Sequence, residues 1–481
     1  MWIFLRSLGV IYFIAFASLG SQVLGLIGSQ GLLPATKYLQ AAAAQFGSLE
    51  RLWSVPTCFW LADSDVALRA GIALGLLGAG LLVVNIAPRI CCIVLWALYL
   101  SFVNVGQDFF LFQWDNLLLE AGFISIFLAP AHLLRGKEGE REPSRLARWL
   151  LLWLLFRLSV QSALSKWLGG DAAWRDGSAM DYYYETAPIP TWLGWWAHQL
   201  PHGFHAASVF MTYLMEGIAP LALIAPRRWR IVGCLFLIGF QFTILLTANY
   251  TFFNWLSIAL CLAAIDDSFW RRWIAPLRRV ADRLAASCRP PLFRLPRGVS
   301  YTAFGLMILL TIVATDGFQR TIPMARGLLS VIAPFRSWNT YGLFSMMTKE
   351  RWELEIQGSM GGVDWKPHIF RYKAGPLDRA PPFVAPHQPR LDFQCWFLTF
   401  DGYGDFRRHR YVVALLQGIC AKNPTILRLL ENDPFPNGPP RYLRLQVHRY
   451  EMTSPSERRE TGRYWKIVES RPWSPLIRCE E

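Results

Sequence analysis

The sequence predicts a multi-pass α-helical membrane bundle followed by a β-rich, sandwich-like extracytoplasmic domain. Three observations carry this. Of the 481 residues, 53% are apolar and only 17% charged, against about 25% charged in a soluble domain. About nine apolar segments, each near the length of a membrane-spanning helix, fill the first two thirds of the chain. Beyond residue 316 the apolar runs shorten and alternate with polar residues. The expected division is a transmembrane domain over 1–315 and a β-rich lumenal or periplasmic domain over 316–481.

A spanning helix needs roughly 20 mostly apolar residues. The segments that approach this are 3–27, 68–86, 90–106, 109–130, 147–167, 206–225, 231–248, 251–265 and 299–315. The first has a signal-peptide look, with Arg6 ahead of Phe16-Ala-Ser18. Its apolar run continues past the small residues, so an uncleaved first helix is expected. Basic residues sort the loops. Arg135, Lys137, Arg141 and Arg145 lie in 131–146; Arg227, Arg228 and Arg230 in 226–230; eight arginines in 266–298. Loop 168–205 has Arg175 against Asp171, Asp176, Asp181 and Glu185. Nine spans place the basic loops on one side, which the positive-inside rule makes cytoplasmic. Loops 28–67 and 168–205 and the C-terminal domain then face the exterior or lumen. The net charge of +14 is thereby a membrane-orientation signal, and nucleic acid is not an expected partner.

The C-terminal elements follow from period-two alternation and turn residues. Arg351–Gln357 reads as a strand, Gly358–Gly362 as a turn and Trp365–Tyr372 as its hairpin partner. Prolines at 376, 381, 382, 386 and 389 mark a long ordered loop. Residues 404–432 read as helical, and 442–450 and 464–468 as two more strands. The hairpin Glu355–Trp365 also looks like the strand–turn–strand of discoidin-type β-sandwiches. That marks Asp364 and Trp365 as candidate partner contacts on exposed loops.

Catalytic signatures are sparse. There is no Walker loop, dinucleotide fingerprint or Cys-x-x-Cys motif, so no cofactor is expected. Cys58, Cys395, Cys420 and Cys479 fall on the exterior side and could form disulfides of open pairing. His198, His202 and His205 have helical spacing, but Pro201 interrupts them and no acid is near in sequence. An interfacial segment with Trp192, Trp195 and Trp196 is the reading taken, and no metal is expected. Charges inside apolar spans are the stronger signal, because each needs a partner in the bundle interior. Asp115 and Glu120 are five residues apart, about 140° around a helix, so they require different partners. Asn116 and Glu120 share a face, and Arg157 is a plausible partner for either acid. Lys166 reads as a snorkelling residue at the exterior end of its span, near Asp171. The sharper reading makes it a desolvated base.

At these residues the chain resembles the lipase maturation factor family. Five blocks occur in that family's order: Gln113-Trp-Asp-Asn-Leu-Leu-Leu-Glu-Ala-Gly-Phe123; Gly169-Gly-Asp-Ala-Ala-Trp-Arg-Asp176 with Tyr184-Glu-Thr-Ala-Pro-Ile-Pro190; Asn249-Tyr-Thr-Phe-Phe-Asn254; Asn339-Thr-Tyr-Gly-Leu-Phe344; and Phe383-Val-Ala-Pro-His-Gln-Pro-Arg-Leu-Asp392. They single out Trp114, Asp115, Asn116, Glu120, Asp171, Trp174, Asn249 and Asn254 in the membrane part, and Asn339, His387, Arg390 and Asp392 beyond it. Ala187 stands where the family more often has Gln, and Phe393 where it often has Trp. The resemblance implies a membrane maturation factor that helps secreted lipases or similar clients fold and assemble, with no catalytic residue to carry over. It implies the endoplasmic reticulum membrane in a eukaryote, and an inner membrane with a periplasmic C-terminal domain in a bacterium. A looser likeness, Lys166 followed by Trp174, is to the membrane region of vitamin K-dependent γ-glutamyl carboxylases, which makes an enzyme with Lys166 as base the alternative. A transporter is disfavoured, since no internal repeat is visible.

Overall fold

The structure, a computed structural model, describes residues 1–133, 144–266, 269–270, 296–313, 323–400 and 406–479. Long helices dominate its first part: α1 (Trp2–Gly20), α2 (Asp65–Val83), α3 (Pro88–Val105), α4 (Gln113–Leu128) and α5 (Arg145–Leu168). After the short α6 (Ala179–Thr186) come α7 (His202–Tyr213), α8 (Arg227–Thr247), α9 (Phe253–Ala264) and α10 (Arg297–Val313). Starts are set locally. Ser64 caps α2 by accepting from Ala67 N–H, Ser144 caps α5 in the same way, and Pro88 opens α3, a position where its missing N–H costs nothing.

Each of the nine apolar segments falls on a helix. Five of these, Trp2–Gly20, Asp65–Val83, Pro88–Val105, His202–Ile224 and Arg227–Thr247, are long and apolar enough to cross a membrane. α4, α9 and α10 are shorter, and α5 carries Arg148, Arg157 and Lys166. By length and composition alone, five of the nine expected spans qualify among the described residues. Within the bundle α1 packs on α2 and α9, α3 lies between α2 and α4, and α5 meets α4 and α9. Gly75 allows the close approach of α1 and α2, since a Cβ there would come within 2.5 Å of the Phe16 ring.

The C-terminal region departs from the expected sandwich. Among the described residues it holds one antiparallel sheet of β1 (Arg351–Ser359), β2 (Lys366–His368), β3 (Tyr442–Met452), β4 (Trp465–Pro472) and β5 (Ile477–Arg478). The order is β2-β1-β3-β4, with β5 on the end of β3. β1 pairs with β3 along its whole length, from Arg351 opposite Tyr450 to Ser359 opposite Tyr442. The hairpin partner of β1 is three residues long, because Phe370 bridges instead to Leu430. Helices α11 (Arg390–Phe397) and α12 (Arg410–Cys420) take the place of a second sheet. The expected helix over 404–432 is interrupted after Cys420, and residues 401–405 lie outside the described residues. Cys420 and Cys479 are joined by a disulfide, while Cys58 and Cys395 are free. One continuous apolar core runs from Phe4 and Tyr99 in the bundle to Leu391, Leu415 and Leu445 beyond it.

The C-terminal region sits on one end of the bundle. It touches the loops after α1, α3 and α8, and those around α6, through Gln30, Phe109, Asn249 and Glu185. The opposite end holds the Ala87 to Leu133 contact and the Arg227–Asp266 ion pair. Arg135, Lys137, Arg141 and the arginines from 271 to 294, which carry most of the orientation argument, lie outside the described residues.

Candidate functional site

The chemistry-bearing residues gather at the seam between the bundle and the C-terminal region. Its centre is Asp115, fully buried in the first turn of α4. Both its oxygens accept from the Arg390 guanidinium at 2.9 Å, and Tyr99 Oη donates to it at 2.5 Å. Arg390 also donates to Phe109 C=O at 2.6 Å and lies 3.6 Å over the Phe110 ring. This is the bidentate geometry a planar guanidinium favours. Of the two acids offered to Arg157, Glu120 takes it. Arg157 does not reach Asp115, and Asp392 does not pair with Arg390. Asp392 instead accepts the Tyr372 and Lys373 N–H groups at 2.7 and 3.1 Å. Burial raises its carboxyl above the usual range even so.

One turn along α4, Glu120 pairs with Arg157 of α5, both 2% exposed. Tyr341 Oη donates to the same carboxylate at 2.8 Å, as do the Asn339 backbone and side-chain N–H groups at 3.2 Å. Asn339 C=O accepts from Arg157 at 3.0 Å, and its side chain reaches the Asn116 carbonyl at 3.4 Å. Asp115 and Glu120 therefore serve different partners, as their spacing requires, and both partnerships extend beyond residue 316.

Further ties complete the seam. Asn249 donates to Ile189, Pro190 and Pro382 carbonyls and accepts the Val384 and Ala385 N–H groups at 2.7 and 2.8 Å. His387 Nδ1 meets Ser18 Oγ of α1 at 2.9 Å; burial, helped by Arg390, pushes its pKa down to about 4. Arg351, at the start of β1, donates to the Glu185, Ala187 and Pro188 carbonyls and pairs with Glu353 at 2.5 Å, which also takes Lys373 at 2.5 Å. Trp114 packs at 4.6 Å on Phe112 and edge-on at 4.9 Å to Phe393. Asp171 accepts Met347 N–H at 2.5 Å, Trp174 Nε1 donates to Phe344 C=O at 2.8 Å, and Asn254 donates to Gln241 at 2.8 Å.

Beside the seam lies a cavity of about 470 Å3 between α5, α6, α7 and α8. Lys166 lines it, 3% exposed rather than snorkelled, and pairs with Glu216 at 2.7 Å rather than with Asp171. Trp174 stands 5.3 Å from Lys166 Nζ. Glu216 occupies a π-turn, Leu214–Ile218, that interrupts the helix after α7. Such turns recur at functional sites because the extra residue redirects a side chain. None of the three histidines is among the residues that line the cavity. His202 and His205 both bond Asp181, at 2.8 and 2.7 Å, and His198 faces Glu185 at 3.6 Å. Burial lowers His198 to about 4. Among the described residues no group of three or more His, Cys, Asp or Glu side chains is arranged to hold a metal. Asp364 is exposed at the β1–β2 turn, where Trp365 stacks 4.2 Å from the Arg444 guanidinium, apart from the seam.

The family described as the lipase maturation factor transmembrane domain matches residues 1–272, and its C-terminal domain matches 337–475. The chain belongs to the lipase maturation factor family. Lipase maturation factor 1 of Bos taurus is 32% identical over 99% of this chain and 88% of its own length. The Homo sapiens protein of that name is 30% identical over 100% and 88%. Lipase maturation factor 2 of Homo sapiens is 29% identical over 96% and 80%. No solved structure matches.

In this member of the lipase maturation factor family, Ala187 and Phe393 both fall on the seam. Ala187 presents its carbonyl to Arg351, and Phe393 packs on Phe112 and Trp114. Sequence reasoning missed Arg351, Glu353, Tyr99 and Glu216. Only Glu216 left a signal, as the acid in the apolar run 206–225.

Proposed function

We propose that this protein is a membrane-embedded maturation factor, with nine helices crossing the bilayer and residues 316–481 held on the exterior face, where a secreted client is folded or assembled. The names of the relatives supply lipases as the client class. The observation that carries the reading is the seam. Arg390, Arg157 and Arg351 bind buried carboxylates and carbonyls across it, so the exterior region is fixed to the bundle rather than tethered. A rigid platform suits holding a client. The endoplasmic reticulum membrane, or a bacterial inner membrane with the platform in the periplasm, is the matching location. The test deletes the gene and restores it, scoring secreted lipase activity against lipase abundance. Loss of specific activity with inactive lipase still present is expected. Unchanged specific activity of every secreted lipase overturns the reading.

A second reading, a carboxylase-like membrane enzyme with Lys166 as base, is favoured by one observation. Lys166 is buried in a cavity beside an acid. The same pair also suits a structural lysine, and the two roles separate by mutation. Lys166→Met alone leaves Glu216 unpaired, at about 3–5 kcal/mol. Lys166→Met with Glu216→Gln removes both charges. Client maturation by a folded double variant excludes the base role; a folded but inactive one establishes it.

A further inference from the structure

The cavity beside Lys166 has a mouth that client maturation leaves unexplained. Phe204 and Met211 on α7 and Thr243 on α8 line it and are also exposed on the outside of the bundle, with Ser208 half-buried between them. Only 28% of the apolar window of His202–Ile224 is buried, and 17% of that of α8. These helices therefore turn their apolar faces to lipid, and the gap between them opens sideways into the bilayer.

The inner wall is apolar apart from a few polar groups, and two of these, Lys166 and Trp114, have an N–H to spare. Lys166 has three N–H bonds, directed to Glu216 at 2.7 Å and Ser162 C=O at 3.4 Å, which leaves one over. Trp114 lines the same cavity, is 4% exposed, and its Nε1 has no partner among the described residues. The Lys166–Glu216 pair is neutral wherever its proton sits. A buried donor without an acceptor is costly, so the site calls for an uncharged acceptor on an apolar body. The volume lies within the roughly 300–1,000 Å3 of ligand sites. We propose that the cavity binds one acyl chain of a bilayer lipid, entered between α7 and α8, with the ester carbonyl accepting from Lys166 or Trp114.

The test reconstitutes the full chain in phosphatidylcholine vesicles doped with a phosphatidylcholine carrying a photoreactive acyl chain. Adducts are then mapped by mass spectrometry. Adducts on Leu158 and Tyr183, which are buried behind the mouth, are expected. Ser208→Trp and Thr243→Trp, on the two helices that flank the mouth, should each lower those adducts at least five-fold while leaving adducts on outward-facing Leu235 and Phe236 unchanged. An ether-linked probe, which lacks the carbonyl, should label the inner residues several-fold less. Labelling confined to outward-facing residues, or indifferent to both tryptophans, overturns the site. Equal labelling by the ether probe overturns the carbonyl assignment.

Discussion

Asp115 and Arg390 are each worth little without the other. Their attraction offsets two desolvation costs, so removing one partner strands a buried charge. Arg390→Ala or Asp115→Ala should each destabilise the protein by about 3–5 kcal/mol. The double variant should cost clearly less than the sum, because the two side chains share one interaction. Thermal unfolding in detergent, with abundance as the second readout, measures this. One buried and two half-buried histidines set a pH response. His387, His198 and His368 are held near 4 by burial, against an ordinary 6.5. An unfolded chain takes up protons below 6.5 that the folded one refuses, so their contribution is complete above 6.5 and lost as pH falls toward 4. The melting temperature should drop between pH 7.5 and 5, and His387→Gln should blunt the drop; a flat profile refutes the assignment. At this scale the sequence showed that Asp115 and Glu120 must part company, because helical geometry is local. It did not show where Asp115 turns, since Arg390 lies 275 residues away. Lys166 misled because its place at a helix end looks interfacial, and the π-turn that delivers Glu216 has no sequence signature.

Helix positions were legible because a 3.6-residue period and a 20-residue length leave few alternatives. The sheet was legible as strands, but not as a single layer. Alternation reports that one face of a strand is buried without reporting what buries it, and here α11 packs on β1 where a second sheet was expected. β2 is short for a related reason. Asn432 Oδ1 takes the Ile369 N–H at 2.7 Å, drawing the chain away from β1. The Cys420–Cys479 disulfide ties the end of α12 to the segment after β5 across 59 residues. A loop of that length implies about 4 kcal/mol by chain entropy. Cys420→Ser should lower the stability of the C-terminal region by up to that amount, seen as earlier proteolysis within 337–479. Bundle helices should be spared. The bond also needs an oxidising compartment. A thiol-reactive label should therefore reach Cys479 only after reduction, and labelling without reduction in intact cells would place this region in the cytoplasm.

Across the whole molecule, the first helix closes onto the C-terminal region. Gln22, just after α1, donates to Gln388 C=O at 2.7 Å and accepts Arg390 N–H at 3.0 Å, and Ser18 accepts Gln388 N–H at 2.9 Å. A reporter fused after Glu481 should work only outside the cytoplasm; cytoplasmic activity would overturn the nine crossings and the client platform together. The same closure has a consequence for synthesis. Asp115 leaves the ribosome 275 residues before the arginine that neutralises it, an interval of about 15–55 s at ordinary translation speed. Glu120 waits less for Arg157, 37 residues later, yet Asn339 and Tyr341 also come late. For that time the young bundle carries an uncompensated acid at the membrane, and Gln22 lacks its contacts to Gln388 and Arg390. Chains stopped at residue 336 should therefore be inserted and then cleared by membrane proteases within minutes, and supplying residues 337–481 as a separate polypeptide should extend their lifetime. Birth order makes the last third of the chain the licence under which the first two thirds persist.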